Sequence, residues 1–107
     1  MFENRLSLYD QAIAMCEDFT RKGKSMPYTS VNGHMFSQLN KDGQLGIRLS
    51  KENREAFGQE YPVEPFLSYK SVMKDYVLIP EPMWEDLGKI AALLKQGHQY
   101  ALSLPPK

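Results

Sequence analysis

The chain is nearly without cysteine: Cys16 is the sole one among 107 residues. An intramolecular disulfide and a cysteine-rich zinc site are therefore both excluded. A single thiol suits a reducing compartment. No apolar run approaches the ~20 residues that a membrane-spanning helix requires. The opening Met-Phe-Glu-Asn-Arg lacks a basic region followed by an apolar one, so no signal peptide is expected and the chain reads as cytoplasmic. Net charge is also missing, with 13 Lys and Arg against 13 Asp and Glu. That balance argues against a protein that coats nucleic acid by bulk electrostatics.

Chemical motifs are equally sparse. The two histidines, His34 and His98, belong to no His-x-x-x-His or Glu-x-x-His pair, so no metal site is expected. Gly-x-Gly-x-x-Gly, Gly-x-x-x-x-Gly-Lys and Gly-x-Ser-x-Gly are all absent, and no cofactor is expected. The adjacent pairs Glu17-Asp18 and Glu85-Asp86 point in different directions on a helix and make poor acid–base dyads. Cys16 falls on an apolar stripe, where a buried, inert thiol is the expectation.

What is present is enough for one domain spanning residues 1–107. A mass of 12.3 kDa scales to roughly 6,100 Å² of folded surface against roughly 17,800 Å² unfolded, which allows a core without metals or disulfides. Phe2, Leu6, Tyr9, Ile13 and Cys16 follow a 4-3-4-3 spacing that predicts a helix over residues 3–22. Gly23 would stop it, with Arg21 and Lys22 at the negative end of its dipole. Asn32-Gly33 signals a turn, residues 34–39 a strand, and Asn40-Lys41-Asp42-Gly43 a hairpin into a strand carrying Leu45, Ile47 and Leu49. In the 34–39 strand, Met35 and Leu39 share one face, and His34, Phe36 and Gln38 the other.

Ser50 caps a short helix over 51–58 with Ala56 and Phe57 as its buried side. Pairing resumes at residues 66–69 and a strand follows at 72–79, with Met73, Val77 and Ile79 facing one way. Pro80-Glu81-Pro82 starts a last helix whose stripe is Met83, Leu87, Ile90, Leu94, His98 and Ala101, widened by Trp84, Ala91 and Leu102. Gly97 marks a bend or an early end, and the Pro105-Pro106-Lys107 tail is expected to fray. Ile13, Leu45, Ile47, Val77 and Leu87 are expected to share one core. The class is α+β: an antiparallel sheet with an N-terminal helix, a short middle helix and a long C-terminal helix.

One stretch concentrates charge and aromatic groups. Arg21, Lys22 and Lys24 precede Met26 and Tyr28, with His34 and Phe36 beyond the turn. Basic groups interleaved with aromatics can contact phosphates and stack bases. Three charges beside Glu17 and Asp18 give a weak footprint, however. The apolar members, Met26, Tyr28, Met35 and Phe36, either form an exposed protein-binding patch or are covered by the first helix or by the basic connector of residues 21–25.

The run from Gly23 to Phe36, the segment from Gly43 to Leu49, Glu52-Asn53-Arg54-Glu55-Ala56-Phe57, and Met73-Lys74-Asp75-Tyr76-Val77 followed by Pro80 and a long helix together resemble the TfoX N-terminal-domain-like family. The resemblance runs over nearly the whole chain. It implies an α+β fold akin to secretion chaperones. Its named members regulate bacterial natural competence and carry a second, C-terminal domain; this chain is expected to hold the first domain alone, so that role is not expected to carry over intact. It supplies no catalytic residues.

Three functions follow in order. The first is a non-enzymatic cytoplasmic module that binds another protein or a second copy of itself in a regulatory setting. The second is a nucleic-acid-associated regulator that uses residues 21–36. An enzyme ranks last, because no nucleophile–base, metal or phosphate constellation is present.

Overall fold

A computed structural model describes residues 2–68 and 70–107. Tyr69, the last residue of the expected 66–69 strand, lies outside the described residues. The fold is α+β, as expected from the order of elements. Helix α1 (Phe2–Ala14) leads into β1 (Tyr28–Val31), β2 (His34–Leu39) and β3 (Leu45–Arg48). Helix α2 (Lys51–Glu60) follows, then β4 (Leu67–Ser68), β5 (Ser71–Val72) and β6 (Tyr76–Leu78). A 3₁₀ turn (Glu81–Glu85) precedes α3 (Leu87–Ser103). Strands β1, β2, β3 and β6 form one antiparallel sheet in that order, and β4 and β5 form a separate hairpin.

Helix α1 is eight residues shorter at its C-terminus than the apolar spacing predicts. Met15 N–H and Cys16 N–H close it with bonds to the carbonyls of Ala12 and Ile13. The carboxylates of Glu17 and Asp18 would oppose the negative end of a longer helix. Cys16 nevertheless stays on the core side, 5% exposed, with Sγ 3.6 Å from the carbonyls of Ala12 and Ala91. Phe19 then turns inward against Phe36 and His98, at 5.0 and 5.1 Å between ring centroids.

The core lies between one sheet face and the helices α1 and α3. Tyr9, Ile13, Leu45, Ile47, Val77, Ile90 and Leu94 meet there. Leu87, expected among them, sits partly buried at the margin. Gly97 neither bends nor ends α3. A Cβ at this position would lie 2.9 Å from the Arg48 carbonyl and 3.2 Å from both Ile47 and Phe36. The glycine lets the helix axis approach the sheet.

Phe36 departs from simple alternation. The register passes from Thr29↔Ser37 to Ser30↔Met35, which leaves Phe36 as the extra residue of a β-bulge. A bulge re-aims a side chain. Phe36 therefore shares the α3-facing side with Ile47 and is fully buried, while Met35 is half-buried. Ser37 holds its place in the core because its hydroxyl bonds both Tyr9 Oη and Thr29 Oγ1.

Four further expectations change. Helix α2 runs to Glu60 and leaves Ala56 exposed, although Ser50 Oγ accepts from Asn53 N–H as a cap should. The 72–79 strand is broken between β5 and β6, where Asp75 adopts a φ of 71°. Proline starts only the 3₁₀ turn, and Asp86 caps α3 proper through Lys89 N–H. Leu102 is 47% exposed and does not widen the buried stripe.

The C-terminal tail is tied down rather than frayed. Asn32 Nδ2 donates to the Leu104 carbonyl at 2.8 Å, and His34 Nε2 bonds the Pro105 carbonyl at 2.7 Å. Lys107 N–H donates to the Asn32 carbonyl at 3.2 Å. These bonds dock the tail on the β1–β2 turn, whose Asn32 and Gly33 both have positive φ. Among the described residues no helix is long and apolar enough to cross a membrane.

Candidate interaction surface

The seven residues singled out in sequence separate into a structural group and a surface group. Arg21 bonds Asp10 through Nε at 2.6 Å and the Gly23 carbonyl through Nη1 at 2.8 Å. It pins the connector to α1 rather than serving the helix end. Lys22 exchanges backbone hydrogen bonds with Tyr28, and its Nζ donates to Ser30 Oγ at 3.1 Å. It thereby covers part of the free edge of β1. His34 is buried against the tail, and Phe36 lies in the aromatic group with Phe19 and His98. Neither belongs to an exposed patch: Phe19, on the segment that follows α1, and His98 of α3 cover Phe36. Lys24 is exposed, and Met26 and Tyr28 are half-buried.

Met26 marks where an open surface does exist. Leu39 N–H donates to the Pro27 carbonyl at 2.9 Å, which sets Met26 beside the β2–β3 turn. That turn is built by Asn40. Its Oδ1 accepts from the backbone of Asp42 and Gln44, both at 3.0 Å. Its Nδ2 donates to Gln44 Oε1 and to the Leu67 carbonyl, both at 3.1 Å. One buried amide thus shapes a turn and binds the β4–β5 hairpin to it. The hairpin's second anchor is Phe66, whose ring lies where a side chain at Gly46 would be, 2.3 Å from an ideal Cβ there. The same ring stacks on Tyr76 at 5.8 Å.

Between these segments lies a cleft of about 380 Å³ lined by Met26, Asn40, Lys41, Asp42, Gln44, Leu67 and Lys70. Beside it the hairpin exposes the cross-strand pair Leu67 and Val72, 42% and 66% accessible. The charged residues on the cleft are two lysines, Lys41 and Lys70, and one acid, Asp42.

Sequence reading found Met26 and missed the rest of the cleft. Asn40, Lys41 and Asp42 read as a turn in sequence, and Leu67 as a strand residue. No local signal joins them, because the cleft is built from three separate segments of the chain.

The remaining chemistry-bearing groups are elsewhere. Arg54 Nη1 and Arg48 Nη2 flank the Asp75 carboxylate at 3.2 and 3.7 Å, and Arg54 also donates to the Leu49 carbonyl, so this cluster ties β3, α2 and the β5–β6 turn together. Burial pushes the Cys16 thiol up in pKa, which suppresses the nucleophilic thiolate. Burial likewise raises the phenols of Tyr9 and Tyr76 well above their ordinary range. Among the described residues no three His, Cys, Asp or Glu side chains are grouped to hold a metal ion. Comparison of the chain with protein-family models, with curated proteins and with solved structures found no match in any of the three.

Proposed function

We propose that this protein is a non-enzymatic cytoplasmic interaction module with a regulatory role. It works by docking a segment of another protein at the cleft beside Met26. The observation that carries this reading is the cleft itself, with the exposed Leu67–Val72 pair at its edge. The surface is assembled from three chain segments, and its shape depends on the hydrogen bonds of Asn40. Such a fixed recess with apolar groups beside it suits an extended peptide.

The alternative, a nucleic-acid contact through residues 21–36, has less support. Arg21 is neutralised by Asp10, and Lys22 is engaged with Ser30. Selection of a random peptide display library on the immobilised protein tests the reading. Selected peptides should bind the wild type and lose binding to Leu67→Asp. Failure to select any peptide, or equal binding to the variant, would refute the cleft. Submicromolar retention on DNA that falls steeply with salt would favour the nucleic-acid reading instead.

A further inference from the structure

We infer that the segment docked in this cleft is acidic, with carboxylates flanking an apolar anchor. The inference rests on the docking reading above and adds the chemistry of the partner.

The first ground is charge. Lys41 and Lys70 lie on the cleft and are exposed, and Asp42 is the one acid on it. Lys24 projects from the exposed connector that leads into Met26. None of these three lysines makes an ion pair among the described residues. On the cleft the two lysines outnumber the one acid, Asp42. A recess with an excess of one sign of charge attracts the opposite sign and disfavours its own.

The second ground is the backbone. Phe66 and Met73 are joined by the Met73 N–H to Phe66 carbonyl bond. In an antiparallel pair, alternate residues turn their polar groups outward. Leu67 is the next residue, and its carbonyl does turn away from β5, toward Asn40 Nδ2. The same alternation assigns its N–H to that outer edge. An extended peptide entering the cleft would meet this donor on a surface that Lys41 and Lys70 also line. The apolar element of the partner is set by Met26 and by the exposed Leu67–Val72 pair.

The test uses the full chain and three short synthetic peptides with the same central leucine and phenylalanine. One carries flanking aspartates and glutamates, one asparagines and glutamines, and one lysines. Binding is followed by fluorescence anisotropy and by backbone amide shifts. The acidic peptide should bind best and shift the amides of Met26, Asn40, Gln44 and Leu67. The variant Lys41→Glu/Lys70→Glu should bind it about tenfold more weakly, since each rim charge is reversed, and should gain affinity for the basic peptide. Both lysines are exposed, so the variant's urea midpoint should match the wild type and exclude misfolding as the cause.

Equal binding of the neutral and acidic peptides, unchanged in the double variant, would overturn the acidic partner and leave the docking reading intact. Binding of all three peptides without shifts at the cleft would overturn both. A single-stranded DNA oligonucleotide that shifts the same amides at lower concentration than the acidic peptide would also overturn the inference, in favour of a phosphate backbone.

Discussion

The two faces of the main sheet are covered in different ways. On one, α1 and α3 bury Tyr9, Phe36, Ile47, Leu94 and their neighbours, and Gly97 brings the helix against the strands. On the other, the β4–β5 hairpin covers β3 through the Phe66 ring over Gly46 and reaches the β2–β3 turn through one Asn40 bond. The first contact is wide, apolar and continuous. The second is narrow and leaves Leu67 and Val72 in water. Buried apolar surface is thereby separated from open surface. The helix-covered face supplies most of the apolar burial, and the hairpin end keeps the open cleft. Loops held on a rigid scaffold are the usual place for binding groups.

Mutations on the two faces should expose this division. Leu94→Ala removes a fully buried side chain beneath α3 and should cost about 2–5 kcal/mol in urea unfolding. A loss below ~0.5 kcal/mol would mean that α3 is not the principal cover. Leu87→Ala, at the margin of the same helix, should cost clearly less than Leu94→Ala.

Glycine substitutions sharpen the contrast. Gly97→Ala places a Cβ 2.9 Å from the Arg48 carbonyl, where rigid backbone has to move. It should cost about 1–3 kcal/mol and speed hydrogen exchange across α3 and the sheet together. Gly46→Ala collides instead with the Phe66 ring. The hairpin should lift, with faster exchange confined to residues 66–73 and α3 protection retained. Equal loss of protection on both faces would show that they unfold as one unit.

Asn40→Ala removes four side-chain hydrogen bonds from the cleft wall. It should lower stability by about 1–2 kcal/mol and abolish peptide docking, whereas Leu94→Ala should leave docking affinity unchanged while the protein remains folded. Loss of docking in both variants would merge the two functions of the faces.

A titration probes the helix-covered side from another direction. Tyr9, Tyr76 and Cys16 all have pKa values raised by burial in the folded chain. The folded state thus holds protons that the unfolded state releases, so these three groups leave stability unchanged below about pH 8.5 and lower it as pH rises above that. Two of the six tyrosines should resist ionisation, followed by phenolate absorbance, until the chain unfolds. Titration of all six with an ordinary tyrosine pKa in native protein would contradict the burial. Cys16 should likewise react slowly with a thiol reagent in native protein and rapidly after denaturation.

The smallest effect is expected at the tail. Deleting residues 105–107 breaks the bonds to His34 and Asn32. It should cost about 1 kcal/mol or less, with faster amide exchange at the β1–β2 turn as the readout.

Periodicity, turn residues and capping groups were local signals, and by themselves they determined the α+β class, the coarse succession of helices and strands, the β2–β3 hairpin, the Ser50 cap and most of the core, but not strand β1. Each depends on a residue and its near neighbours in the chain. The end of α1, the side on which Phe36 lies, the break at Asp75, the role of Gly97 and the docked tail were decided only in the folded molecule. Phe36 changes sides because β2 carries one residue more than its partner strand there, a property of pairing and not of either strand alone. Gly97 looked like a weak point in a helix and is where the helix meets the sheet. The cleft has the same origin. Met26, Asn40 and Leu67 stand far apart in sequence, and their polar and apolar groups converge only after the hairpin has folded back onto the β2–β3 turn.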